Sequence, residues 1–351
     1  MKEKLQVYIG TFSTNMFSFL FDPETLEIED LHAINDPGGR SAYLALDKEE
    51  KYLYVANEWM DGDGGIAAFR LVEGGDPVFL NAVYSYGQGP AQVSTMKAYG
   101  KTFVLGAGVF EGDVMVCPTA EDGSLLPFSH YFKIVDVEKK AEKGKAHGIE
   151  AIPGTNFAIV PDTLNGQIYT FELTPEGKLE KRFVFDDPGV RCPRHMTFSK
   201  DGTKLYFVTE RANSLEVFDI NRETGELTHV SHTPTLPDDF TGDSMASGIH
   251  RSPDGRFVYV SNRGFNSIAA FRVEGDKVER TGFACEDIEW PREFLITPDG
   301  EFLFVGNQEK ATVAIFRIDH ETGVPEYVKS FALPFGPGPA SLISVPCTQD
   351  R

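Results

Sequence analysis

"YFVTERANSLEVF", residues 206–218, is the stretch that decides the fold, because its frame returns as "YVSNRGFNSIAAF" at residues 259–271. Each copy has a tyrosine, Asn-Ser seven and eight residues later and a phenylalanine at the twelfth step, yet one carries Glu210 where the other carries Arg263. A repeated frame marks a structural unit, and the position that changes charge within it is free to serve something other than the fold.

The same kind of run occurs in "YLYVANE" (52–58), "FAIVPDT" (157–163) and "LFVGNQE" (303–309), all β-branched and aromatic and all read as strands. Asp201-Gly202, Asp254-Gly255 and Asp299-Gly300 precede three of these runs and favour tight hairpin turns. Before those turns stand shorter runs, "RHMTFS", "GIHRSP" and "EFLITP". After the second strand comes a third that ends on an aromatic: "IAAFRL" (66–71), "IYTFEL" (168–173), "LEVFDI" (215–220), "IAAFRV" (268–273) and "VAIFRI" (313–318). Acidic turns such as "NRETGEL" and "DHETGVP" then lead to a weaker fourth strand.

The unit is therefore four antiparallel strands. Its spacing, 53 residues from Thr209 to Asn262 and 45 from Asn262 to Asn307, is that of a propeller blade. First strands fall at "SAYLALD", "AQVSTMK", "HGIEAIP", "RHMTFSK", "GIHRSPD", "EFLITPD" and "ASLISVP", which makes seven, with "AQVSTMK" the poorest match. The chain opens on "VYIGTF", a second-type strand, and closes on "ASLISV", a first-type strand. The two are expected to complete one blade and close the ring without a covalent bond. The expected fold is all-β: a seven-bladed β-propeller, one domain over residues 1–351.

Composition narrows the function. The chain carries 53 acidic and 33 basic residues, a formal charge of −20, which argues against nucleic acid and against anionic membrane surfaces as partners. The N-terminus enters a strand without the apolar stretch of a signal peptide, and no segment is long and apolar enough for a membrane span, so a cytoplasmic protein is expected. Cys117, Cys192, Cys285 and Cys347 lie dozens of residues apart and read as four free thiols, not as a zinc or dithiol site.

In a blade the start of the first strand and the end of the second meet at one rim of the central channel. Sixteen residues separate Arg194 from Glu210, Ser247 from Arg263, Arg292 from Gln308, His147 from Thr163 and Ala42 from Glu58, so each pair brackets one such hairpin. Glu58, His147, Arg194, Glu210, Arg263 and Arg292 are thereby expected on a shared rim. Arginine forks suit carboxylate or phosphate oxygens and developing negative charge, while Glu210 and His147 are the two candidates for proton transfer or water activation. An acidic chain with an arginine-lined mouth selects small anions and repels polyanions.

Other stretches say less. "AGVFEGD" (107–113) and "DGDGGI" (61–66) lack the Lys-Ser/Thr pair and the helix of a phosphate loop, and Asp61 and Asp63 lack the rest of a calcium pattern. His195, next to Arg194, is expected on the opposite side of its strand by alternation and is read as structural. His130, His229, His232 and His320 fall in turns or outer strands and are given no role. No metal or cofactor is implied.

"RCPRHMTFSKDGTKLYFVTERANSLEVF", "ASGIHRSPDGRFVYVSNRGFNSIAAF" and "WPREFLITPDGEFLFVGNQEKATVAIFRIDHETG" resemble the seven-bladed lactonase family, which includes cycloisomerase-type 6-phosphogluconolactonases and fungal carboxymuconate lactonising enzymes. The resemblance is strongest from about residue 145 to 345. It implies an active site of His147 in "AHGIE", Arg194 in "CPRH", Glu210 in "VTER" and Arg263 in "SNRG", the residues already placed on the rim by spacing. One departure stands out: Lys145 occupies the place where many members have a second histidine. The expected function is hydrolysis of a small anionic sugar lactone, 6-phosphogluconolactone first, without a cofactor. The alternatives are a carboxymuconate-type cycloisomerase and a non-catalytic propeller scaffold, the latter disfavoured by the absence of a Trp-Asp blade signature in a chain with two tryptophans.

Overall fold

The computed structural model describes residues 2–59, 64–135, 143–186, 189 and 192–347; Asp61 and Asp63 lie outside the described residues. The described residues form seven antiparallel four-stranded sheets. Blades 2 to 7 are continuous in sequence, spanning residues 41–84, 92–133, 150–186, 193–234, 245–284 and 291–332. Blade 1 is not. It takes its innermost strand from the C-terminus, β28 (Pro339–Pro346), and its other three from the N-terminus, beginning with β1 (Leu5–Thr11). These two strands pair antiparallel from Leu5 opposite Pro346 to Thr11 opposite Pro339, so the ring closes by backbone hydrogen bonds, as the mid-repeat start implies.

The core lies between the blades, in seven apolar clusters, each drawn from two neighbours. The closing seam is aromatic: Phe21 of blade 1 meets Phe302 and Phe304 of blade 7 edge-on, with ring centroids 5.2 and 4.9 Å apart. Such pairs contribute about 1 kcal/mol each beyond the area they bury. A blade cannot bury both faces alone, so each one depends on its neighbours.

Two features of the repeat explain its constant letters. Gly202, Gly255 and Gly300 of the Asp-Gly turns have φ of 69°, 82° and 74°, a region closed to most side chains. The asparagine that ends several second strands ties down the loop arriving from the preceding blade. Asn262 donates to Thr235 O at 2.9 Å, Asn307 donates to Asp287 O at 2.8 Å, and Asn57 donates to Asp36 Oδ2 at 2.7 Å.

The structure departs from the sequence reading in two places. The "AQVSTMK" strand is regular, β8 (Gln92–Ala98), paired with the next strand from Gln92 opposite Ala107 to Ala98 opposite Lys101. The short one is β12 (Glu150–Ala151). His147, Gly148 and Ile149 stand outside its ladder, and Ile149 N donates instead to Gln92 Oε1 of blade 3 at 2.9 Å. In addition, the innermost strands of blades 2, 5, 6 and 7 each break register near the site end, between Ser41 and Tyr43, Pro193 and Met196, Ala246 and Ile249, and Pro291 and Glu293. Bulges of this kind re-aim side chains, and here they sit where the rim residues are.

Candidate active site

Glu210 leaves the second strand of blade 5, β17 (Lys204–Thr209), with its backbone held on both sides. Its N–H donates to Cys192 O at 2.9 Å, and its carbonyl accepts from Ala246 N of blade 6 at 3.1 Å. The side chain lies between two arginines. Oε2 is 3.3 Å from Arg194 Nε, and Oε1 is 3.5 Å from Arg263 Nη2.

Arg194 is almost fully buried, with 1% of its side chain exposed. Nη1 donates to Ser247 O at 2.9 Å and lies 3.1 Å from His195 Nδ1, while Nε is buried without a directed hydrogen bond. Burying a guanidinium is costly unless its charge is met, and Glu210 meets it here. Burial, together with the Arg263 and Arg292 charges, pushes Arg194 down to about 9, against the pull of Glu210 and Glu293. It remains a cation at neutral pH. Arg263 is also buried and donates to Met245 O and Ala246 O, each at 3.3 Å; its guanidinium carbon lies 5.9 Å from the Trp290 ring centroid.

His147 is buried and, among the described residues, its Nδ1 has no hydrogen-bond partner. Burial, Arg194, His195 and Arg292 hold it well below the ordinary imidazole range, so the ring is neutral at pH 7. Glu58 is also buried, and among the described residues its Oε2 has no hydrogen-bond partner. Burial raises its carboxyl, opposed by Arg292, Arg194 and Arg40. Arg292 is half-buried, its guanidinium carbon 4.9 Å from the Phe12 ring centroid. Lys145 turns its backbone to the fold: its N–H donates to Asp162 Oδ1 at 3.0 Å.

The structure thus brings Glu210, Arg194 and Arg263 into direct contact, and His147, Arg292 and Glu58 within electrostatic reach of Arg194. It corrects the placement of His195. The bulge between Pro193 and Met196 cancels the alternation, and His195 lies on the same side as Arg194.

His195 leads into a polar layer in the channel that spacing did not pick out. Its Nδ1 is 3.3 Å from Glu293 Oε2, whose other oxygen is 2.8 Å from His250 Nε2. Burial alone would raise Glu293, but His250 and His195 hold it below the usual carboxylate range. Glu150, half-buried near Glu293, is pushed up to about 8 and accepts from Gln92 Nε2 at 3.0 Å. Tyr43, Gln92, Glu150, His195, His250 and Glu293 line a cavity of about 150 Å³. A signal for this layer existed one step past the rim column, at Tyr43, Gly148, His195, Gly248 and Glu293. The two glycines make room: a Cβ on Gly148 would lie 2.3 Å from Gln92 Oε1, and one on Gly248 would lie 2.3 Å from Glu293 Oε1. Among the described residues, no three His, Cys, Asp or Glu side chains are grouped to hold a metal ion.

Chemically, a carboxylate between two buried guanidinium groups is a base set within a field made for negative charge. The family described as "Lactonase, 7-bladed beta-propeller" matches residues 6–335. The 6-phosphogluconolactonase of Bacillus subtilis is 34% identical over 307 residues, covering 82% of this chain and 84% of that protein. Among solved structures, the periplasmic gluconolactonase of Pseudomonas aeruginosa superposes with a TM-score of 0.88 at 24% identity, over 98% of this chain and all of that one. A protein from Lactobacillus plantarum superposes with a TM-score of 0.86 at 24% identity, over 97% and 99% of the two chains. At that identity both show the fold alone.

Proposed function

The chain belongs to the seven-bladed β-propeller lactonase family, and from that premise we propose that it hydrolyses a small anionic sugar lactone, 6-phosphogluconolactone first, at the Glu210 rim site. The observation that carries this reading is the placement of Glu210 between Arg194 Nε and Arg263 Nη2. The similarity to a 6-phosphogluconolactonase supports the choice of substrate.

In this reading a water oxygen attacks the lactone carbonyl carbon while Glu210 accepts the water's proton. The carbonyl oxygen becomes an oxyanion stabilised by the charges of Arg194 and Arg263, which flank Glu210. One well-placed donor of this kind contributes about 3 kcal/mol to the transition state. The ring C–O bond then breaks, its electron pair stays on the ring oxygen, and the proton held by Glu210 passes to that oxygen as it leaves as a hydroxyl. The new carboxylic acid ionises, so each turnover releases one proton. His147, held well below the ordinary imidazole range beside the arginines, adds no further positive charge to this centre.

Proton release makes the test direct. A pH-stat assay with phosphorylated, unphosphorylated and carboxylated lactones is expected to show turnover above the spontaneous rate for the sugar lactones, the phosphorylated one fastest. A folded protein that accelerates none of them overturns the proposal, and turnover confined to the carboxylated lactone moves the chain to the cycloisomerase reading.

A further inference from the structure

In a chain with a formal charge of −20, two arginines at the site mouth make no ion pair among the described residues. Arg182 and Arg256 on the surface are paired with Glu172 and Asp254, each at 2.7 Å. Among the described residues no ion pair or hydrogen bond is made by the guanidinium of Arg40 or of Arg292. Each lies instead over an aromatic ring, Arg40 at 4.9 Å from the Trp59 centroid and Arg292 at 4.9 Å from that of Phe12. Both side chains are half-exposed.

The two flank one loop of blade 1. Arg292 covers Phe12, while Ser41, next to Arg40, donates its N–H to Ser13 O at 3.0 Å. The segment that presents Arg40 is built with care. Asp36, a buried carboxylate, accepts from Gly38 N at 2.8 Å, Ser41 Oγ at 3.0 Å and Asn57 Nδ2 at 2.7 Å, and Asn57 Nδ2 also donates to Arg40 O at 3.3 Å. Gly38 cannot be replaced without a clash, since a Cβ there would lie 2.6 Å from Asn57 Oδ1. On the other side, Arg292 O accepts from Ser247 Oγ at 2.7 Å, within the bulge that opens blade 7. Two cations are thus fixed by their backbones, stacked on rings and left without anions.

We infer that Arg40 and Arg292 form an anion subsite for the phosphoryl group of the substrate, separate from the Arg194–Glu210–Arg263 centre. The inference rests on the lactone-hydrolase reading and names its substrate class, a phosphomonoester of a sugar lactone. Planar guanidinium forks match phosphoryl oxygens, and stacking on Trp59 and Phe12 removes conformational freedom before the ligand arrives. Among the described residues, buried Glu58 feels the charge of both arginines, which oppose the rise that burial gives its carboxyl.

The test compares 6-phosphogluconolactone with unphosphorylated gluconolactone in the wild type and in Arg40→Gln. The expected result is a fall of about tenfold or more in the ratio of kcat/KM for the phosphorylated over the unphosphorylated lactone, expressed mainly in KM, the size of losing one charge-assisted contact. An unchanged ratio overturns the subsite, whether both activities fall together or neither does. Calorimetric binding of 6-phosphogluconate and gluconate separates this from failure of the function itself. If the wild type turns over neither lactone, the hydrolase reading falls. The subsite still stands if Arg40→Gln loses the preference for 6-phosphogluconate, and it falls if that preference is absent or unaltered.

Discussion

Arg263 Nη2 lies 3.5 Å from Glu210 Oε1 across the seam between blades 6 and 5, although the two residues hold the same position in one repeated frame. The frame shows opposite charges at that position because successive blades present the position to one another around the channel, where a carboxylate and a guanidinium stabilise each other. Arg194 completes the set from the first strand of blade 5.

The guanidinium shape at Arg263 is expected to matter as well as its charge. Its Nε reaches Met245 O while its Nη2 reaches both Ala246 O and Glu210, a spread of donors that a lysine ammonium cannot reproduce. Steady-state kinetics should show kcat/KM reduced about 100-fold in Arg263→Ala and about tenfold in Arg263→Lys, a loss of about 1.4 kcal/mol for each factor of ten. Full activity in the lysine variant would mean that charge alone suffices.

The pH profile follows from His147. A base with the ordinary imidazole pKa near 6.5 loses activity as pH falls through that value, and the burial and cationic neighbours of His147 move its protonation to lower pH. The expected profile of kcat/KM is flat between pH 6 and 8. A limb with an apparent pKa near 6.5 that disappears in His147→Gln would contradict this.

Glu150 gives stability a pH dependence of definite sign. Burial, with Glu293 nearby, raises it from 4.5 to about 8, so between those values the folded protein keeps a proton that the unfolded chain has released. Stability therefore falls as pH rises through this window, by up to about 1.4 kcal/mol per pH unit. Thermal unfolding of Glu150→Gln should show a higher Tm than wild type at pH 8, with the gain shrinking toward pH 5. A difference independent of pH would remove the ionisation from the account.

Ring closure is tested by truncation. Removing residues 339–351 takes away β28, its ladder to β1 and the contribution of Leu342 to the seam between blades 7 and 1. The edge of β1 is left unpaired, and the expected outcome is loss of the single cooperative melting transition. A truncated protein that melts like the full chain would contradict closure by these strands.

The fold was legible because the repeat writes itself in letters with backbone causes: Asp-Gly at tight turns, asparagine at loop ties, and Val, Ile and Phe in the strands. The contact of Glu210 with Arg194 was legible because a sixteen-residue spacing spans one hairpin, and that with Arg263 because the two share one position of the frame in adjacent blades. What could not be read was local departure from alternation. The bulge in blade 5 turned His195 inward beside Arg194, and the short β12 replaced a ladder bond with one to Gln92. Arg40 was hidden differently. It stands before the first strand of blade 2, outside the sixteen-residue column, and only Asp36 and Asn57 show that its segment is fixed.

The most direct measurement of the central claim is the turnover of 6-phosphogluconolactone by Glu210→Gln against wild type in the pH-stat. The amide keeps the size of the side chain and removes the carboxylate proposed to accept the water's proton. The account predicts kcat lower by about 100-fold or more with KM changed little, as for the loss of one positioned base. Near-normal turnover in Glu210→Gln, with a folded but inactive His147→Gln enzyme beside it, would contradict the assignment of Glu210 and transfer the base to His147.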